Sequence, residues 1–239
     1  AGIAALAAAI VLGRRNGYPK TIAPPHNLPF AVLGAGLLWF GWYGFNAGSA
    51  LAANGLAVTA FVTTTVATAA AVLMWVVIDI IFNARPTVLG VITGVIAGLV
   101  AITPAAGFVT PVGAMIIGAV SSIICYVFVA FIKPKLGYDD SLDAFGVHGI
   151  GGIWGALATG IFATAAANPA IAGGLIDGNA AQLGIQAKAV LITIGYSFVV
   201  SVVVLKLIDL VIGLRPSERS EKIGLDLTEH KESAYTVLE

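Results

Sequence analysis

The residue best suited to chemistry is His148, which lies in the apolar, glycine-rich stretch AFGVHGIGGIWG at residues 144–155. An imidazole titrates near neutral pH, and its two nitrogens can accept at one side while donating at the other. At about 100° per residue His148 shares a helix face with Gly152, Gly155 and Thr159, whose small side chains leave space beside the ring. The pattern predicts an imidazole beside a path; the alternative is a histidine that hydrogen-bonds a neighbouring helix.

A second set of residues forms a stripe along one helix face. Leu38, Trp42, Phe45 and Ser49 follow one another at helical spacing. Aromatic faces attract cations, and a serine oxygen offers lone pairs to an N–H donor. The stripe therefore predicts a path that can hold a small cationic donor. Ordinary aromatic packing beside a capping or back-bonding serine is the alternative.

Composition places these residues in a membrane protein. Hydrophobic residues make up 59% of the 239-residue chain and charged residues 10%, and the mean hydropathy is +0.98; soluble domains carry far more charge. The net charge of zero argues against a nucleic-acid partner. A single cysteine, Cys125, excludes an internal disulfide and supplies no metal cluster. We expect no metal and no cofactor.

Six apolar segments are long enough, or nearly so, to cross a bilayer as helices. They lie at residues 28–52, 57–81, 87–103, 112–132, 142–165 and 186–213. The third is the shortest, and Pro104 should end it beside Thr103. Residues 1–12 reach only about 18 Å at 1.5 Å per residue, so we interpret them as the end of a further helix. We expect an all-α integral membrane protein that is part of a longer polypeptide.

Lysine and arginine predict the orientation of these segments. Basic residues alternate between successive loops, and the basic loops are expected on the cytoplasmic side. The loop at 13–27 and the tail after residue 213 are then cytoplasmic. Within the helices, Gly90, Gly94 and Gly98 have the spacing that allows close helix contact.

Charged side chains at the predicted inner interface have simpler interpretations. Asp139, Asp140 and Ser141 lie where a helix begins, so we expect capping and compensation of the helix dipole to explain at least one of them. Asp143 lies one turn deeper and is harder to explain as a cap. Asp79 and Arg85 are expected to form a structural ion pair.

Several motifs together resemble the ammonium transporter (Amt/Mep/Rh) family, Amt branch. The motifs are DDxxD at 139–143 followed by FGVHG at 145–149, GWYGFNAGS at 41–49, PHNLP at 25–29, ITPA at 102–105, and GLR and GLD in the tail. The likeness follows the family's order from residue 1 to about residue 235. This resemblance implies an eleven-helix fold in which two groups of five helices form an inverted repeat around a central path.

In that fold the chain supplies the end of the fifth helix, helices six to eleven and a cytoplasmic tail. The transmembrane domain is expected at 1–213 and the tail at 214–239. The resemblance further implies a homotrimer in the plasma membrane, each subunit with its own pore. The N-terminal half of the same protein is then a required partner, and a PII-type regulatory protein on the cytoplasmic face is an additional expected one.

The resemblance also assigns roles to individual residues. Phe45 matches one of two stacked phenylalanines that close the pore, and Ser49 belongs to the outer ammonium site. Trp42 and Leu38 match the pore wall, and Thr103 matches a threonine near the lining. His148 matches one of a pair of pore histidines, the other of which falls just ahead of residue 1. Asp143 matches a carboxylate beneath the inner mouth of the pore.

The expected function is transport in which ammonium is recruited at an outer site, deprotonated and passed through a hydrophobic pore. Carrying a full charge into hydrocarbon is expensive, whereas neutral ammonia has only polar hydrogen bonds to lose. One alternative is an ammonium sensor that signals through a separate partner. The other is an intramembrane serine hydrolase built from Ser49 and His148, a non-transport function that requires contact between these two side chains.

Overall fold

The computed structural model describes residues 1–20 and 25–233, and this part of the chain contains helices and no strand. The described ranges leave out residues 21–24 in the predicted 13–27 loop and the last six residues of the predicted tail. The helices are α1 (Gly2–Leu12), α2 (Leu28–Gly48), α3 (Gly55–Asn83), α4 (Val88–Ile102), α5 (Pro111–Val127), α6 (Lys133–Leu136), α7 (Gly151–Phe162), α8 (Ala180–Ile212), α9 (Glu218–Ile223) and α10 (Leu225–Thr228). Two π-helical turns, Phe128–Ile132 and Phe145–Ile150, join α5 to α6 and precede α7.

Polar caps fix where four of the apolar helices begin. The side chains of Asn27, Asn54, Thr87 and Thr110 each accept a hydrogen bond from a backbone N–H in the first turn of α2, α3, α4 and α5. Each cap satisfies an amide that would otherwise lack a partner. The predicted first segment ends at Gly48 rather than at 52, and Leu51 shortly beyond it has a φ of 54°. The last of the six predicted segments corresponds to α8, which begins at Ala180, six residues before the predicted 186.

The prediction of an all-helical membrane protein is confirmed. In the described ranges, five helical spans are long and apolar enough to cross a membrane: Leu28–Gly48, Gly55–Asn83, Pro111–Leu136, Phe145–Phe162 and Ala180–Ile212. The remaining predicted segment is the shorter apolar α4, which stops at Ile102 just before Thr103 and Pro104. Its 15 residues span about 22 Å at 1.5 Å per residue, and its C-terminal half is buried among the other helices.

Small residues let α3, α4 and α5 approach one another closely. A Cβ atom added at Gly98 would lie 2.7 Å from the Cα of Thr68, and one at Gly94 would lie 3.0 Å from the Cβ of Trp75. On α5, Gly118 lies directly against the backbone of Ala67. The predicted glycine face of α4 therefore packs against α3, as close membrane-helix contact requires.

Two serine side chains on α5 connect this group of helices. The Ser121 hydroxyl donates to the Ala97 carbonyl on α4 at 2.9 Å, and the Ser122 hydroxyl donates to the Ala71 carbonyl on α3 at 2.7 Å. Both serines are fully buried. Interhelical hydrogen bonds of this kind contribute about 0.6–2 kcal/mol each in membrane proteins. They hold α4 in the centre of the group, where it supports the groove and cavity described below.

The predicted Asp79–Arg85 ion pair is wrong. The buried Asp79 carboxylate instead accepts hydrogen bonds from the backbone N–H and the hydroxyl of Thr87, at 3.0 and 2.8 Å, and from the Asn83 amide at 3.0 Å. Thr87 is the N-cap of α4, so Asp79 fixes the start of that helix. A buried carboxylate needs several donors, and the backbone turn at 84–87 delivers them without a basic side chain.

Candidate functional site

His148 lies in the π-helical turn Phe145–Ile150, immediately before α7. One carboxylate oxygen of Asp140 accepts a hydrogen bond of 2.7 Å from the Phe145 backbone N–H, so the predicted cap at the start of this helix is confirmed for Asp140. Single π turns within helices occur frequently at functional sites. The turn brings the half-buried His148 between two cavities.

The larger of these, which we call the inner cavity, has a volume of about 570 Å³. Its wall includes His148, Asp143 and Arg15 together with apolar residues of α4 such as Ile92 and Ile96. Arg15 belongs to the basic 13–27 loop that was predicted to be cytoplasmic, and Asp143 lies at the predicted inner end of the segment 142–165. The cavity thus extends from the predicted inner side of the protein to the imidazole.

The second, which we call the side cavity, has a volume of about 270 Å³ and lies between α1, α7 and α8. His148, Ala1 and the hydroxyl-bearing Thr193 and Ser197 are among its lining residues. Ala1 is the residue just ahead of which the resemblance places the second pore histidine. Ala1 and His148 thus line the same cavity.

The predicted face of His148 with Gly152, Gly155 and Thr159 is only partly correct. Gly152 lines the side cavity beside the imidazole. Gly155 instead lies against the backbone of Ala101 on α4, and the Thr159 hydroxyl donates to the Gly155 carbonyl at 2.8 Å. The π turn changes the number of residues per turn at His148, so a regular helical projection from this residue does not hold along α7.

On α2, an apolar groove of about 460 Å³ contains three residues of the predicted stripe. Leu38, Trp42 and Phe45 all line it, with the Trp42 and Phe45 rings in an edge-to-face arrangement and their centroids 6.0 Å apart. We call it the α2 groove; its other lining residues are Gly34, Leu37 and Gly41. Phe45 is 63% exposed in this chain, so its ring borders open space rather than a filled core.

Ser49 caps the C-terminal end of α2 and does not line the α2 groove. Its hydroxyl donates a hydrogen bond of 2.6 Å to the Phe45 carbonyl, the back-bonded arrangement that was the structural alternative. Because this bond uses the hydroxyl proton, the serine oxygen keeps its lone pairs as acceptors. Such an oxygen can accept from an N–H donor.

Thr103 is joined to the α2 groove by a hydrogen bond. The Trp42 indole N–H donates to the Thr103 hydroxyl oxygen at 2.7 Å, and the same hydroxyl donates to the Leu99 carbonyl at 2.7 Å. The indole thereby has a partner on α4, as a partly buried Trp requires. The structure therefore brings Trp42, Phe45 and Thr103 together, while His148 and Asp143 line the separate inner cavity.

Asp143 carries two features that the sequence did not reveal. Its backbone has a φ of 54°, in the left-handed region that non-glycine residues rarely adopt. Its carboxylate forms an ion pair with the ammonium of Lys133 at 2.6 Å. Lys133 counted only as a basic loop residue in the sequence, because a separation of ten residues gives no spacing signal for the pair.

Arg15 was likewise missed as a wall residue of the inner cavity. Its guanidinium pairs with the buried carboxylate of Asp139 at 2.7 Å, and its backbone N–H donates to the same carboxylate at 2.7 Å. This arrangement lowers the pKa of Asp139, chiefly through the side-chain hydrogen bond from Arg15. It joins the end of α1 to the loop that precedes His148.

The serine hydrolase arrangement is not present in the described part of the chain. Ser49 uses its proton on the Phe45 carbonyl, and His148 lines cavities that do not include Ser49. A nucleophilic serine needs a base within hydrogen-bond reach. The geometry therefore gives no support to this function.

The comparisons with known proteins agree on one family. The profile of the Ammonium Transporter Family matches residues 1–235. An ammonium transporter of Bacillus subtilis is 50% identical over 234 residues, which is 98% of this chain and 57% of the relative. Like it, the other curated relatives that we compared are named as transporters rather than enzymes.

Two solved structures have the same fold. The crystal structure of Candida albicans Mep2 matches with a TM-score of 0.84 and 35% identity, over 92% of this chain and 50% of Mep2. A structure named "Sensor Amt Protein" matches with a TM-score of 0.83 and 35% identity, over 95% of this chain and 56% of that one. The chain thus spans about half the length of the relatives it matches. By sequence profile, identity and fold, it belongs to the Ammonium Transporter Family.

Proposed function

We propose that this chain is the second half of an ammonium transporter of the plasma membrane, and that its helices form one side of an ammonia-conducting pore. The observation that carries the proposal is the position of His148, an imidazole on the wall of a cavity that begins among the predicted cytoplasmic loops. An ionisable group at membrane depth generally belongs to a transport path. The names of the family and of its relatives supply the substrate.

In this proposal the Trp42 and Phe45 rings of the α2 groove hold ammonium by cation–π attraction, and the Ser49 oxygen accepts a hydrogen bond from one of its N–H groups. Ammonium then transfers a proton to an imidazole of the proposed histidine pair, which relays it. Neutral ammonia crosses an apolar constriction at far lower cost than a cation. Phe45 acts as a gate, and Leu38 and Thr103 support the wall. The imidazole of His148 accepts from ammonia at one nitrogen and donates at the other.

The proposal also includes a second histidine contributed by the N-terminal half. Ala1 and His148 line the same side cavity, so residues immediately before Ala1 fall near the imidazole. The exposed Phe45 ring on α2 offers a surface for the partner repeat. Transporters built from repeats carry their sites at the repeat interface, which supports a pore between the two halves.

The assembly that we propose is a homotrimer with transmembrane domain 1–213 and a cytoplasmic tail, 214–239. The tail's Arg215 donates to the Leu12 carbonyl at the end of α1, a contact that supports a common side for the tail and the basic 13–27 loop. A PII-type protein binding to this cytoplasmic face remains part of the proposal. Transport is preferred over sensing, because the matched curated relatives compared above are named as transporters.

The test compares two histidine variants in the full-length transporter that carries this chain. His148→Ala should lower the ammonium-driven current in proteoliposomes, or change selectivity against other small cations, while the yield of folded trimer changes little. His230→Ala is the matched control, because His230 is an exposed tail residue. Unchanged current and selectivity in His148→Ala would remove His148 from the pore.

A further inference from the structure

The ion pair between Lys133 and Asp143 holds charge at the wall of the inner cavity. Asp143 is one of the lining residues, and Lys133 contacts it from α6, outside the cavity wall. The lysine side chain is only 15% exposed and the aspartate side chain 29%. The Lys133 ammonium is therefore held in this ion pair, and its side chain does not extend into water.

The other charged groups around Asp143 already have partners. The Asp140 side chain caps the helix of His148 through the Phe145 N–H. Asp139 and Arg15 form their own pair across the loop. Lys133 also donates to the Asp140 carbonyl at 2.5 Å, which orients its ammonium toward Asp143. Among the described residues, Lys133 is thus the cation that neutralises Asp143.

An unpaired carboxylate at this place would favour a cation in the cavity. A fixed negative charge on a partly buried wall attracts ammonium more strongly than it would in bulk water. Ammonium that forms at the inner end of the path would then stay longer before release. A paired carboxylate keeps its shape and its hydrogen-bond acceptors but exerts a much weaker net attraction.

We propose that Lys133 is a positioning residue for release: it holds and neutralises Asp143 so that the inner cavity does not retain ammonium. This inference rests on the proposed function, because it gives a role to the cavity that leads from His148. Lys133 does not contact the substrate in this scheme and acts through the aspartate. Its loss therefore differs from the loss of a pore residue.

The experiment measures ammonium flux into proteoliposomes of the full-length transporter, with and without ammonium already inside. Lys133→Met should reduce flux several-fold when ammonium is present inside, and much less when it is absent. The double variant Lys133→Met, Asp143→Asn removes both charges and should return the inhibition by internal ammonium to the wild-type level. Lys133→Arg keeps the charge and should resemble the wild type.

Lys135→Met is the matched control, because Lys135 lies two residues away and is exposed. If Lys133→Met does not fold, the double variant and Asp143→Asn still test the idea, since neither should increase inhibition by internal ammonium. Inhibition equal in Lys133→Met and Lys135→Met would overturn the proposal. So would a folded double variant that remains as strongly inhibited as Lys133→Met. A wild-type protein without ammonium flux would instead contradict the proposed function itself.

Discussion

The indole N–H of Trp42 donates a 2.7 Å hydrogen bond to the hydroxyl oxygen of Thr103, joining α2 to the end of α4. The Thr103 proton is used on the Leu99 carbonyl, so the hydroxyl presents a lone pair to the indole. This pair fixes the ring that forms the middle of the α2 groove. Thr103 is the C-cap of α4, so the indole is anchored at the end of that helix.

The first prediction concerns this hydrogen bond. Thr103→Val keeps the side-chain volume but removes the acceptor, leaving the Trp42 N–H without a partner. An unsatisfied, partly buried donor costs about 1–3 kcal/mol. We expect a lower melting temperature and altered ammonium flux in Thr103→Val, whereas Thr103→Ser should be near wild type. Equal melting temperatures of the two variants would show that the bond contributes nothing to stability.

The second prediction separates a gate from a packing residue at Phe45. If the Phe45 ring closes the proposed pore, it borders a path rather than a filled core, so Phe45→Ala should change permeation with little loss of stability. A fully buried side chain behaves differently: Leu99→Ala, at 0% exposure, should cost about 2–5 kcal/mol. Melting temperature and flux are measured on the same preparation of the full-length protein. Normal flux with a large stability loss in Phe45→Ala would contradict the gate.

The third prediction tests the close contact of α3 and α5. A methyl group at Gly118 meets the Ala67 backbone, so Gly118→Ala must push the helices apart and should cost about 1–3 kcal/mol. Gly195 on α8 has no neighbouring atom within 4 Å of an added Cβ. Gly195→Ala is therefore the control and should leave the melting temperature unchanged or raise it. Similar stabilities for both variants would argue against glycine-dependent packing.

The fourth prediction is a pH dependence from Arg15 and Asp139. Arg15 lowers the pKa of the Asp139 carboxyl, so the pair stabilises the folded state above the unfolded-state pKa of about 3.9. This stabilisation is lost as the pH falls through the folded-state pKa. Arg15→Met should lower stability at pH 7 by about 1 kcal/mol, because the guanidinium is half-exposed and screened.

The difference between Arg15→Met and the wild type should disappear once the pH is below the folded-state pKa of Asp139. Thermal unfolding in detergent at several pH values measures this difference. Arg219→Met serves as control, since Arg219 is an exposed arginine of the tail. A loss of stability in Arg15→Met that stays constant down to strongly acidic pH would show that Asp139 is not the partner responsible.

Local sequence patterns determined the class of the protein and much of its helical layout. Apolar runs of about 20 residues require helices in a bilayer, because every backbone N–H and C=O must be satisfied within the segment. The spacing of Leu38, Trp42 and Phe45 depends only on helix geometry, and the three residues share one groove as expected. Pro104 likewise ended α4 for a local reason, its missing amide and ring clash.

The tertiary structure decided what these elements bring together. Trp42 and Thr103 are 61 residues apart in the sequence, and Lys133 and Asp143 are ten residues apart. No helical periodicity relates the members of either pair. The choice of Thr87 over Arg85 as partner of Asp79, and the π turn at His148, depend on how α3, α4 and α7 pack. Helical periodicity shows which side chains share a face of one helix. Which faces meet is fixed only when small residues such as Gly118 and Gly155 let particular backbones come into contact.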